Sequence, residues 1–585
     1  MPTDIVSLYL ARVAGETGTV RKDRGGRLSI ALVYPNSYRL GMSNLGFQVV
    51  YHLFNKRPEV VAERFFLPEG KEMSLYLQSG KPLMSLESQT PLYLFDLVAF
   101  SLSFENDYPN ILKILELGSI PLLSKDRRGG GFPPVMAGGI TTFLNPEPIA
   151  DFMDFFLMGE AESFLDHFLD TFIDLHDGRA EGAELLKALA TSVPNLYAPA
   201  LYAQEYEKGG AIRAFYPKAG VPETIRTARH VTDADAVPFS TIRTQETEFS
   251  GKVLAEIGRG CGRSCRFCAA GYVYRPPRIH GVKAIKSTMD KVLMSCDKVG
   301  LIAAAVSDVP GIEEVTSHIL EKGAHFSVSS LRADSITVRL IEDLRDSGQK
   351  SLAIAPEAGS ERMRRVINKH LSRQEIIEAV RLISGTGDFS LRLYALIGLP
   401  TETNDDVASL VDLVKVIRHH MIKASAQRGS MGQIRLSLNC FIPKPFTPFQ
   451  WFPMEEIGSL KQKQKRLKKA LIKEGGISVG FDVPKWAYLQ TLLSQGDRRV
   501  GSILLKAHEL KDDWKKAFRS SELNPDFFVY RQKDLDEILP WDFIDNGVRK
   551  AHLKREYDLA LKAEESDECR MGDCRLCGAC SLFDK

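Results

Sequence analysis

Apolar residues along the chain gather in short continuous runs, separated by longer stretches with helical spacing. LSIALVYP (28–35) is one such run; it ends at Pro35 and suits a strand buried on both faces. FDLVAFSLS (95–103), PPVMAGGI (133–140) and MDFFLMGEAE (153–162) read the same way. NLGFQVVYHLFNK (44–56) and NDYPNILKILELG (106–118) carry helical spacing between them. This alternation predicts an open parallel sheet of the doubly wound type. Ligands of such sheets sit at the carboxyl ends of the strands, where this chain places Asn36, Ser37, Ser103, Gly138, Gly139 and Gly159.

Polar, turn-rich sequence over 200–250 predicts a connection, after which a second α/β series begins at LAEIGRGCGRSC. Its strand patterns are LAEIG (254–258), LIAAAVS (301–307), HFSVSSL (325–331), SLAIAP (351–356), SLRLYALIG (390–398) and IRLSLNCFI (434–442). SITVRLIEDLRDSG (335–348) and RQEIIEAVRLISG (373–385) are helical stretches among them. Six such units predict a partial (β/α)6 barrel with its site at the C-terminal strand ends. The expected α/β organisation is a doubly wound, Rossmann-like domain over 1–220, a connection over 221–249 and the barrel over 250–452. A smaller α+β C-terminal domain follows over 453–585, and no internal repeat has a fixed period.

Composition changes this picture little. At 585 residues the chain is too long for one core, and its 44% apolar and 26% charged residues are ordinary for a soluble globular protein. The start, MPTDIVSLYLARVAGETG, lacks the apolar core of a signal peptide, and no stretch reaches the roughly 18 apolar residues of a membrane span. The expectation is a cytoplasmic protein. A net charge of +2 decides nothing about nucleic acid, because a basic face can hide in a neutral total.

The cysteines say more. Seven of the nine fall in two tight groups, 261/265/268 and 569/574/577/580, which in a reducing compartment read as metal ligands. Cys296 and Cys440 lie in apolar segments and are expected as small buried hydrophobes. CGRSCRFC sets Cys261, Cys265 and Cys268 in a C-x3-C-x2-C loop directly after a strand. Three thiolates can hold one face of a cubane cluster and leave one iron open to a chelating substrate. A zinc site would need a fourth ligand, and the next His, His280, is twelve residues past Cys268.

This loop, with Phe267 as the aromatic before its last cysteine, resembles the radical S-adenosylmethionine superfamily. The resemblance implies a 4Fe–4S cluster whose unique iron is chelated by S-adenosylmethionine. An electron from the cluster then cleaves the sulfonium to methionine and a 5′-deoxyadenosyl radical, drawing on a donor such as flavodoxin or ferredoxin. It further implies cofactor contacts from Ser329 and Arg332 in SVSSLRADS, from Glu357 in APEAGSERMRRVINK, and from Gly398 and Pro400 in LYALIGLPTET. The chain departs after the second barrel strand, where relatives carry a Gly-Gly-Glu-like run and this sequence reads AVSDVPGI; Ser307 and Asp308 are the substitutes. No catalytic residue is assigned.

The N-terminal segments ALVYPNSYRLGMSNLG, DLVAFSLSFENDYPN, VMAGGITTFLNPEP and FFLMGEAE together resemble a cobalamin-binding domain. They depart from the mutase type, because PNSYRLGMSNLG has no His to ligate cobalt. Either cobalamin binds without that ligand, or the domain serves substrate binding or architecture. Cys569, Cys574, Cys577 and Cys580 form C-x4-C-x2-C-x2-C, which suits either a second iron–sulfur cluster or a structural zinc. LKQKQKRLKKALIKEGG (460–476) is the strongest basic run, read as a solvated helix with Leu460, Leu467, Leu471 and Ile472 inside. An RNA substrate rests on that run alone. With WAYLQTLLSQGDRRVG and LPWDFID, the whole chain resembles fused cobalamin-domain radical S-adenosylmethionine proteins of largely unassigned substrate. Hydrogen abstraction with methyl transfer is the expected chemistry. Methylthiotransferase-like sulfur insertion is the enzymatic alternative, and an iron–sulfur redox or sensing protein the non-enzymatic one.

Overall fold

The computed structural model describes residues 4–218, 220–231, 237–249, 251–569, 574 and 576–582. The N-terminal stretch forms a helix, Ile5–Ala14, capped by Asp4 and burying Ile5, Tyr9 and Val13. The first large sheet has strands β1 (Leu28–Tyr34), β2 (Val60–Phe66), β3 (Leu97–Ser101), β4 (Val135–Gly138), β5 (Phe155–Leu157) and β6 (Leu196–Tyr197). Their order is β2-β1-β3-β4-β5-β6, parallel except for β6. This doubly wound order reverses between β1 and β3, the point at which such sheets open to ligand.

The sequence reading has no counterpart of β2, because Glu63 and Arg64 interrupt its apolar run. Both are buried. Arg64 is ion-paired to Glu16 and Glu87 at 2.6 Å each, so the strand carries its compensating charges into the core. The stretch 200–250 is likewise more than a connection. It holds an antiparallel hairpin, Tyr202–Tyr206 with Ile212–Pro217, and the strand Ile225–Arg226, which pairs with Ile544–Asp545 from the C-terminal region.

The second unit is a run of parallel strands. Val253–Glu256, Lys298–Ile302 and His325–Val328 form one sheet. Ser351–Glu357, Ser390–Ile397, Ile434–Cys440 and Ile477–Phe481 form the next. A parallel bridge between Leu331 and Ile354 joins the two sheets. The series therefore passes the expected end at 452; Ile477–Phe481 is half-exposed at the sheet edge and lacks a continuous apolar signature. The second strand stops at Ile302, short of the expected 307. Beyond it Asp308 is drawn to Arg263, and Ser307 accepts a bond from the Arg332 N–H, which turns the chain into a 3-10 segment.

The basic run is helical over Ile457–Leu471, with Leu460, Leu467 and Leu471 buried. Ile472 is 66% exposed, not inside, because it caps the helix end. Lys463 is buried instead, paired to Glu402 and Glu455 at 2.6 Å each. Cys440 is buried as expected, whereas Cys296 is only half-buried, with its sulfur 3.1 Å from the Lys298 carbonyl oxygen. Among the described residues no helix is long and apolar enough to cross a membrane.

Candidate active site

The cysteine loop leaves the first barrel strand and is closed at its base by a two-stranded clip, Gly258–Arg259 against Arg278–Ile279. Ser264, between the first two cysteines, takes a positive φ of 60°, which bends the loop. Its carbonyl oxygen accepts from Asn368 and from the Tyr272 hydroxyl, both at 3.2 Å, and its hydroxyl accepts from Arg275 at 2.7 Å. Arg266 is fully buried; it donates to the carbonyl oxygens of Arg365 and Val366 at 3.1 Å and pairs with Glu556. Phe267 packs against an apolar cluster that contains Met363, Ile367 and Leu399.

The three cysteines keep partial exposure. Burial of their sulfur atoms pushes the Cys265 thiol up and the Cys268 thiol to about 12, and each senses its neighbours' charge. Lys369 and Arg332 oppose that rise at Cys265. Two cations beside a thiol suit a thiolate bound to iron far better than a neutral S–H. No three Cys, His, Asp or Glu side chains among the described residues converge on a single ion. A cubane distributes its thiolates over different irons, and the donor set with its flanking cations fits one.

Several predicted cofactor residues surround this loop. Glu357 sits at a bulge with φ 63°, its carboxylate 3.2 Å from Lys369. Arg332 is held by Asp334 at 2.9 Å and by the Lys369 carbonyl oxygen at 3.2 Å. Asp308 meets Arg263 of the loop in a bidentate pair at 2.8 Å, and Ser307 hydrogen-bonds Ser335 at 2.8 Å. Ser329 is exposed at the end of its strand. Gly398 and Pro400 are buried, and the Gly398 N–H donates to Glu402 at 2.9 Å. Sequence reasoning missed Arg259, Arg263, Lys369 and Arg275. The first two stand inside the motif segment, and charged residues flanking a metal-type loop were the available signal.

A cavity of about 570 Å³ lies where the carboxyl ends of the first sheet face the loop. Ser103, Gly138, Gly139 and Gly159 line it from one side; Gly260, Ala270 and Tyr274 line it from the other. Asn36 and Ser37 are not among its lining residues; Asn36 donates to Asp107 at 2.7 Å instead. A Cβ at residue 138 would meet nothing nearer than 3.7 Å, so its backbone presents an open floor. Gly139, at φ 107°, would place a Cβ 2.3 Å from the Leu102 carbonyl oxygen. Glu160 and Arg259 form one wall. Glu160 accepts from Arg278 at 2.6 and 2.7 Å and from Arg259 at 3.0 Å, which ties the first sheet to the clip.

The family model for the N-terminal region of radical SAM proteins matches residues 46–199, and that for the radical SAM superfamily matches 255–414. The uncharacterized protein MJ0966 of Methanocaldococcus jannaschii is 30% identical over 479 residues, 81% of this chain and 90% of that protein. Ribosomal protein uS12 methylthiotransferase RimO of Thermosipho africanus is 25% identical over 195 residues, 30% of this chain and 46% of its own. Among solved structures, the radical S-adenosylmethionine methyltransferase TsrM from Kitasatospora setae matches with a TM-score of 0.43 and 12% identity, over 72% of this chain and 74% of that one. The chain belongs to the radical S-adenosylmethionine superfamily, enzymes that carry a 4Fe–4S cluster and use S-adenosylmethionine.

Proposed function

We propose that Cys261, Cys265 and Cys268 hold the 4Fe–4S cluster and that a cobalamin occupies the inter-sheet cavity, making the chain a methyl-transferring radical enzyme. The observation that carries this reading is the cavity itself, which runs from a glycine floor at the sheet ends to the loop residues Gly260 and Ala270. When bound, the cluster supplies the electron that cleaves S-adenosylmethionine, and the corrinoid supplies the methyl group.

The chain's own residues bind and orient. Glu357, 3.2 Å from Lys369, accepts from the amino or ribose groups of S-adenosylmethionine, with Ser329 and Ser307 as further polar contacts. Arg332 and Lys369 place positive charge next to Cys265. Asp308 acts through Arg263, fixing the loop. Leu399 and Phe267 share one apolar cluster, and the Gly398–Pro400 turn beside it offers the adenine a flat wall. No His is among the described residues that line the cavity.

RNA is the proposed substrate and the cytoplasm the proposed compartment, with flavodoxin or ferredoxin as donor. Lys461, Lys465, Lys468 and Lys469 remain exposed on the basic helix after Lys463 is taken into the core, and they suit phosphate contact. The likeness to RimO supports sulfur insertion as a second reading.

The test is anaerobic purification and reconstitution, followed by hydroxocobalamin titration and single turnover with dithionite and S-adenosylmethionine. Stoichiometric corrinoid uptake with release of 5′-deoxyadenosine and S-adenosylhomocysteine is expected. Cleavage of S-adenosylmethionine without any corrinoid uptake sinks the cobalamin assignment, and no cleavage at all sinks the loop assignment.

A further inference from the structure

The chain after the last long helix (Lys550–Leu561) runs back along the cysteine loop and is stitched to it residue by residue. The Glu564 carbonyl oxygen accepts from Arg266 at 2.9 Å, and the Ser566 N–H donates to Asn368 at 2.9 Å. Glu568 pairs with Arg263 at 2.7 Å. The Cys569 N–H donates to the Gly262 carbonyl oxygen at 2.7 Å. The second cysteine group therefore begins against the first.

Cys574, Cys577 and Cys580 follow within eleven residues of Cys569. Cys577 and Cys580 are buried. Arg275, only 2% exposed, donates to Ser264 of the loop at 2.7 Å and to the Gly271 carbonyl oxygen at 2.6 Å, lies 3.4 Å from the His552 Nε2, and also faces Cys577. Arg229 also faces Cys577, and its buried Nε and Nη1 have no hydrogen-bond partner. The Arg549 N–H donates to the Cys577 carbonyl oxygen at 2.8 Å.

The Arg275 guanidinium stands beside the tail thiols, and Arg229, which also faces Glu160 and Asp545, keeps Nε and Nη1 without a hydrogen-bond partner. Four thiolates on a divalent ion carry a net charge of about −2, and a fully ligated cubane is also anionic, so either is matched by these cations.

We propose that Cys569, Cys574, Cys577 and Cys580 hold a second metal centre as four thiolates, and that this centre, through Arg275, clasps the cysteine loop. The proposal rests on the reading of that loop as the cluster site. The shared chemistry is a tetrathiolate centre; because no three such side chains converge on a single ion among the described residues, a cluster with its thiolates spread over several irons fits better than one zinc. Its place in the fold makes it a brace for the loop: Cys569 is bonded to Gly262, and Arg275 to Ser264.

Iron, zinc and sulfide are measured per chain in the anaerobically reconstituted parent, the Cys577→Ser/Cys580→Ser double variant and Cys265→Ala. The parent should hold about eight irons, or about four irons and one zinc, against about four irons in the double variant. Cys265→Ala should keep the tail share. Cobalt(II) added to metal-free Cys265→Ala should give tetrathiolate charge-transfer absorption, a readout independent of how well the double variant folds. Hydrogen exchange over 258–279 should rise at least tenfold in the double variant and in Arg275→Gln, while Arg275→Gln keeps its second metal at lower affinity. Equal metal in parent and double variant, or no cobalt absorption, overturns the site. Loss of the tail metal with unchanged loop exchange overturns the clasp. Full metal retention in Cys265→Ala counts against the loop reading alone.

Discussion

Replacing Glu160 by Gln isolates the ionic tie between the first sheet and the cysteine loop. Glu160 follows β5, is buried, and accepts from Arg278 at 2.6 and 2.7 Å, from Arg259 at 3.0 Å and from the His230 N–H at 3.1 Å. Gln keeps the shape but removes the charge that two guanidinium groups share. Deleting one member of a buried pair costs about 3–5 kcal/mol. Arg259 retains Glu162 and Glu256, each at 2.7 Å, so Arg278 is the cation left under-compensated and the lower figure applies. At about 2–4 °C per kcal/mol for a unit of this size, 3 kcal/mol lowers the first thermal transition by roughly 6–12 °C. Burial alone would raise the Glu160 carboxyl; the Arg278 hydrogen bonds and the Arg259 charge outweigh it and hold the pKa below the ordinary value. A carboxyl lowered in the folded state stabilises above its unfolded pKa of about 4.3, and that stabilisation fades as pH falls through the folded value. The gap between parent and variant should be full at pH 7 and close below about pH 4. Calorimetry of the full chain across pH measures both. A drop under about 2 °C at neutral pH, or a gap unchanged in acid, refutes the argument.

Cys265→Ala should reduce 5′-deoxyadenosine release to background while far-ultraviolet circular dichroism stays at the parent level; turnover above background removes Cys265 from the cluster. Gly139→Ala forces a Cβ to 2.3 Å from the Leu102 carbonyl oxygen at φ 107°, so about 1–3 kcal/mol of stability and the corrinoid uptake should both fall. Gly138→Ala, with 3.7 Å of clearance, should weaken corrinoid uptake at least tenfold with little change in melting, and full uptake there would argue for a different ligand. Lys463→Met strands Glu402 and Glu455 beside each other and should cost about 3 kcal/mol or more by urea unfolding. Lys468→Met on the exposed side of the same helix should stay within about 0.5 kcal/mol.

Legibility followed the physics of each element. β1, β3 and β4 are short apolar runs buried on both faces, and such strands announce themselves. β2 did not, because Arg64 is neutralised by Glu16 and Glu87, one 48 and the other 23 residues away in sequence. No local window contains that information. The cysteine loop stood out from spacing alone, since three cysteines within eight residues are a local object. The Lys369–Glu357 pair did not, because a short helix, Glu361–Val366, stands between the two residues; nor did the Arg275 bridge, because it reaches the C-terminal cysteines. Lys463 shows the same limit in reverse: a lysine within a basic run reads as solvated until its two carboxylate partners are known.

The clip that closes the cysteine loop explains why these features belong to one device. Arg259 and Arg278 are direct register partners across the clip, and both reach Glu160. The residues that fix the width of the loop's base are thus the same residues that dock the first sheet onto it. Neither guanidinium can shift without altering both the loop and the cavity wall. On the other side, Arg263 and Arg266 tie the loop's interior to Asp308 and Glu556, so charge holds it from three directions in addition to the apolar packing of Phe267. Charge-assisted bonds fix direction as well as distance. Radical chemistry demands that kind of restraint, since a reactive carbon-centred species must meet its target before it meets solvent or protein. The arginines within and beside the motif therefore define the geometry in which its cysteines can work.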